Sequence, residues 1–109
     1  MGWVPFGIEA LEHQFDEMLA DKAQAPERRP WEYFRQNFWV TYWFEKVGPK
    51  LFLETVGVDK VVFETDFPHP TALYPGIQQH IVDTLGAYEP EVRKRVLERN
   101  AVELYNLPF

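Results

Sequence analysis

Behind Pro5, apolar residues recur at Phe6, Leu11, Phe15, Met18 and Leu19, at spacings of three to five. Proline suits the first turn of a helix, and this spacing predicts a helix from about 5 to 22. Its other face carries Glu9, Glu12, Asp16, Glu17 and Asp21, which reads as a solvated face in preference to a docking surface for a basic partner. The pattern lapses around Pro26, so 23–29 reads as a loop, and Pro30 opens a short helix through Tyr33 and Phe34. From Phe38 to Trp43 the chain is aromatic and β-branched and apolar on both alternating faces, which predicts a strand buried on both sides. The alternative, a stacking platform for sugars or bases, is disfavoured because an exposed segment of this kind invites aggregation.

Gly48 and Pro49 punctuate the chain, and Leu51, Phe52 and Val56 then predict a helix that Gly57 stops. Lys60 to Asp66 is a second apolar run that turns acidic at its end. Pro68, Pro70, Pro75 and Gly76 make a loop, after which Ile77, Ile81, Val82 and Leu85 mark a helix. Pro90 starts another, with Val92, Val96 and Leu97 inward. Arg93, Lys94, Arg95 and Arg99 lie outward, a solvated face rather than an anion site. Asn100 is expected to cap a last short helix through Ala101 and Leu104. Two buried strands separated by a helix predict a parallel β–α–β unit. A two-stranded parallel sheet buries itself poorly, so the pattern reads as an arc cut from a larger α/β structure.

With 109 residues, the chain is shorter than an average domain of about 150, so one domain is expected. Hydrophobic residues make up 46% and aromatics 17%, ample for a packed core. Eleven basic against seventeen acidic residues leave a net charge of −6, which repels nucleic acid and anionic lipid alike. There is no cysteine, so any metal must use His or carboxylate ligands. The longest nearly apolar run, Phe38 to Phe44, is far short of the ~20 residues of a membrane span. Met1 to Pro5 carries no signal-peptide pattern, and a cytoplasmic location is the expectation.

Asp66 stands where an apolar strand gives way to a proline loop, the edge at which α/β folds display catalytic groups. Glu64, two residues earlier, is expected on the same face, and His69 follows in the loop. Carboxylate and imidazole together suit zinc or another divalent ion, whose bound water can ionise near neutral pH. A plainer reading stands beside it: Asp66 caps a turn, Glu64 pairs with a buried Arg or Lys, and His69 packs against prolines. A third makes Glu64 and Asp66 a glycosidase pair, although carboxylates on one strand are poorly placed to flank a bond. His13 and His80 read as surface or packing histidines.

Gly2-Trp3-Val4-Pro5 with Leu11-Glu12 and Asp16-Glu17, Arg29 to Asn37, Glu64-Thr65-Asp66-Phe67-Pro68-His69-Pro70, and Asn100-Ala101 with Leu104-Tyr105 resemble the amidohydrolase-related (amidohydrolase 2) family, which includes the aminocarboxymuconate-semialdehyde decarboxylase-like enzymes. The resemblance runs over nearly the whole chain, and Thr65 to His69 is its most specific element. It implies an α/β fold, a (β/α)₈ barrel with a divalent metal, usually zinc, at the carboxyl ends of the strands. Hydrolysis or non-oxidative decarboxylation of small carboxylic acids or amides is the implied chemistry. Asp66 falls on the family's aspartate after the eighth strand, a metal ligand and general base, and His69 falls on its loop histidine. Tyr42 and Trp43 would end the seventh strand.

A full barrel takes about 250 residues, so this chain is expected to be the C-terminal portion, residues 1–109 forming one fragment. The family's His-x-His pair and its histidine after the fifth strand have no counterpart here. The fragment is therefore expected to be inactive and to bind no metal tightly by itself. Its open strand edges predict self-association or pairing with an N-terminal barrel piece. The rival readings are a non-catalytic complementing subunit and an incomplete gene product without independent function.

Overall fold

The computed structural model describes residues 1–18 and 25–109. The elements run α1 (Val4–Met18), α2 (Pro30–Asn37), β1 (Val40–Tyr42), α3 (Gly48–Thr55), β2 (Val61–Phe63), α4 (Ile77–Leu85) and α5 (Pro90–Lys94), then a π-helical turn (Arg95–Arg99) and α6 (Asn100–Tyr105). The predicted positions Leu19, Asp21 and Lys22 lie outside the described residues. β1 and β2 pair in parallel, with Val40 opposite Val61 and Tyr42 opposite Phe63, and α3 is the crossover between them. The β–α–β unit read from the pattern is present.

The strands are shorter than the apolar runs that contain them. In β1, Val40 is half-buried, Thr41 exposed and Tyr42 buried, so the expectation of burial on both faces is corrected there. Side chains alternate along a strand, so Thr41 points away from the face that Val40 and Tyr42 share with Val61 and Phe63. The Tyr42 ring lies 5.0 Å from Phe63 and 6.2 Å from His80 of α4. β2 begins as predicted, with Val61 and Val62 both buried.

The core gathers Met1, Val4, Ile8, Tyr42, Phe52, Val56, Val61, Leu85 and Val96. On α1 the buried positions are Val4 and Ile8, one turn apart, while Phe6 and Leu11 face outward. Two short strands cannot cover a wide helix stripe, so much of the apolar periodicity stays uncovered. Gly57 stops α3 as expected: its φ is +106°, open to glycine and strained for side-chain-bearing residues.

The C-terminal helices depart from the sequence reading. Residue 100 does not cap a new helix. Asn100 has helical φ and ψ and continues the turn before it, and its fully buried side chain donates to the carbonyls of Val58 and Val61 instead. The helix ends further on, at Asn106, whose φ is +49°.

Candidate functional site

β2 delivers the chain into a closed loop at its carboxyl end. Glu64 extends the pairing by donating its N–H to the Tyr42 carbonyl at 3.0 Å, and Leu73 N–H returns to the Thr65 carbonyl at 3.1 Å. Within this ring, His69 N–H bonds the Asp66 carbonyl at 2.8 Å and Ala72 N–H the His69 carbonyl at 2.9 Å. The Phe67–Pro68 and Tyr74–Pro75 peptides are cis. Asp66 has φ +59°, a left-handed conformation that aspartate tolerates better than most residues.

That conformation corrects one expectation. Strand alternation does not reach Asp66, so Glu64 and Asp66 do not project as a pair from one strand face. Glu64 accepts a hydrogen bond from the Thr41 hydroxyl at 3.3 Å, and among the described residues no buried Arg or Lys pairs with it. Asp66 Oδ2 lies 3.2 Å from His69 Nδ1 and accepts from the Thr71 hydroxyl at 3.1 Å. The hydroxyl is also 2.6 Å from His69 Nδ1. His69 therefore does more than pack against prolines. Both side chains stand open to solvent at the strand end.

Asp66 and His69 are thus brought together, with Thr71, which sequence reasoning passed over. A hydroxyl two residues beyond the histidine in His69-Pro70-Thr71 was the available signal. Tyr42 ends β1, but its hydroxyl points toward Thr84 of α4, 3.4 Å away, on the side opposite Thr41. Burial pushes its pKa above the ordinary value. His13 is exposed on α1. His80 is buried, stacked 6.3 Å from Phe63, a packing histidine.

Part of each charged face is engaged in ion pairs within the chain. Arg29 bonds both oxygens of Asp16 at 2.9 Å and pairs with Glu12, whose other oxygen accepts Trp31 N–H at 2.8 Å. The acidic side of α1 thus latches the start of α2. Lys94, Arg95 and Arg99 pair with Glu98, Glu103 and Glu91.

A sequence profile described as Amidohydrolase matches residues 1–107. The chain belongs to the amidohydrolase family. Among solved structures it is similar to 5-carboxyvanillate decarboxylase from Sphingomonas paucimobilis, with TM-score 0.77 and 22% identity over 96% of this chain and 31% of that one. It is also similar to 2,6-dihydroxybenzoate decarboxylase, with TM-score 0.73 and 21% identity over 95% of this chain and 32% of that one. An amidohydrolase from Mycobacterium avium subsp. paratuberculosis K-10 gives TM-score 0.69 and 23% identity over 91% of this chain and 25% of that one. The amidohydrolase fold seen here is a partial (β/α)₈ barrel, spanning a quarter to a third of those chains.

Members of the family are generally metal-dependent. Among the described residues, no group of three or more His, Asp or Glu side chains is arranged to hold an ion. A catalytic zinc centre takes three protein ligands plus a water, and Asp66 with His69 falls short of that set. The donors are of the right chemical type but do not make up a centre. No described helix is long and apolar enough to cross a membrane.

Proposed function

We propose that this chain is the C-terminal portion, carrying the seventh and eighth strands, of a metal-dependent amidohydrolase that decarboxylates or hydrolyses small carboxylic-acid or amide substrates. Asp66 is its contributed metal ligand or general base, and His69 is a second site residue. The remaining ligands of the metal, zinc by the family's habit, come from outside residues 1–109. The observation that supports this reading is the Asp66–His69 contact of 3.2 Å, held at the carboxyl end of β2 in a family member. The names of two similar structures specify decarboxylases of aromatic acids, so decarboxylation is the branch to test first. By itself the 109-residue chain is inactive, and a barrel piece or a second copy covers its strand edges.

Zinc titration of the chain by calorimetry is expected to show no stoichiometric tight site. A submicromolar site abolished by Asp66→Ala would refute the need for outside ligands. In protein that includes the rest of the barrel, Asp66→Asn is expected to lower carbon dioxide release from an aromatic acid by roughly 10²–10⁴-fold, the usual worth of a positioned acid–base group. An unchanged rate overturns the assignment. A complementing subunit without catalysis is the outcome if the reconstituted barrel forms but shows neither activity.

A further inference from the structure

Three atoms form a closed triangle in the loop after β2: Asp66 Oδ2, Thr71 Oγ1 and His69 Nδ1. Its sides are 3.1, 2.6 and 3.2 Å. A carboxylate brings lone pairs only, a hydroxyl one proton, and a neutral imidazole one proton on either nitrogen. If the Thr71 proton went to His69, Oδ2 would face two lone pairs within hydrogen-bond range. If it goes to Oδ2, Oγ1 must accept from Nδ1, and all three sides are attractive. The Thr71 N–H also lies 3.4 Å from Nδ1, which would ask Nδ1 to accept. That contact is at the limit of bonding, and the 2.6 Å hydroxyl contact outweighs it.

We propose that Thr71 is a positioning residue that fixes His69 as the tautomer protonated at Nδ1, so that the Nε2 lone pair is the one this loop presents. Among the described residues Nε2 has no hydrogen-bond partner, and the side chain is 61% exposed. His69 thus offers an acceptor outward, toward a hydrogen-bond donor on a bound molecule, while its other nitrogen is engaged by Thr71, which in turn donates to Asp66. The inference deepens the proposed site, but its readout requires no catalysis.

The test is a two-bond ¹H–¹⁵N correlation spectrum of the histidine-labelled 109-residue chain at about pH 8, above the ordinary imidazole pKa of about 6.5. His69 is expected to show a protonated Nδ1 and a bare Nε2. Thr71→Val is expected to shift both nitrogens toward the opposite tautomer, and Thr71→Ser to restore them, with the His13 and His80 signals unmoved as a check on the fold. Protonation at Nε2 in the wild type overturns the proposal, whatever the variants do. So does a Thr71→Val spectrum identical to wild type. The proposed function fails instead on activity of the Asp66→Asn enzyme, so the two failures are distinct.

Discussion

Asn100 donates both protons of its side-chain amide to the main-chain carbonyls of Val58, just before β2, and Val61, its first residue, each at 2.7 Å. These two bonds tie the helical turn at residue 100 to the strand that carries the candidate site, across about forty residues of sequence. Removing the amide leaves two acceptors beneath a fully buried position.

Asn100→Ala is therefore expected to cost about 2–4 kcal/mol, the sum of two lost bonds and the penalty of unmet carbonyls. Asn100→Asp should cost more, because it sets a carboxylate against two carbonyl oxygens. Urea unfolding followed by circular dichroism measures both, and the reverse order of the two variants would contradict the hydrogen-bond account.

At Gly57 the strain is in the backbone and not in the surroundings. With φ at +106°, the nearest atom to an added Cβ is Nη2 of Arg35, 3.7 Å away. Gly57→Ala is expected to cost about 1–3 kcal/mol through conformation alone. A parallel Arg35→Ala variant should not relieve that loss, as thermal melts of the single and double variants will show.

Asp66 combines a left-handed φ of +59° with the loop's carboxylate. Asp66→Gly and Asp66→Ala both remove the carboxylate, but only glycine suits the backbone. The glycine variant is expected to be more stable than the alanine variant by about 1 kcal/mol. Activity of the completed barrel should fall equally in both. Equal stabilities would mean that the loop gives up the left-handed conformation without the side chain.

Asp16 tests the latch between α1 and α2. The hydrogen bonds from Arg29 hold its pKa below the ordinary 3.8, outweighing the opposing effect of burial, with the Arg29 and His13 charges adding to the lowering. A carboxyl depressed on folding contributes stability that is present above its unfolded value and lost as pH falls through the folded one. An NMR titration is expected to place the Asp16 midpoint below 3.8 in the wild type and closer to it in Arg29→Gln. Added salt should shrink the difference, since both groups are exposed. A wild-type midpoint unmoved by Arg29→Gln would remove the guanidinium as the cause.

Much of the fold was legible where local chemistry decides. Ile77, Ile81 and Leu85 repeat at helical spacing and form α4 as read; Gly57 ends α3; Asp66 and His69 share the loop at the end of β2. The misreadings share a different character. The role of Asn100 depends on carbonyls about forty residues away. Thr41 is exposed although Val62, its partner on the same face of β2, is buried. Glu64 and Asp66 part company because a single left-handed residue resets the direction of the chain.

Periodicity and punctuation, properties of neighbours along the chain, determined most of the helices, the parallel crossover and the position of the acidic loop, and the motifs they carry determined the family. Which face of each strand is covered, where Asn100 sends its amide and how Thr71 sits between Asp66 and His69 were decided only by tertiary structure. Hydrogen-bond geometry and burial are set by groups converging in space, and spacing along one dimension does not encode that convergence.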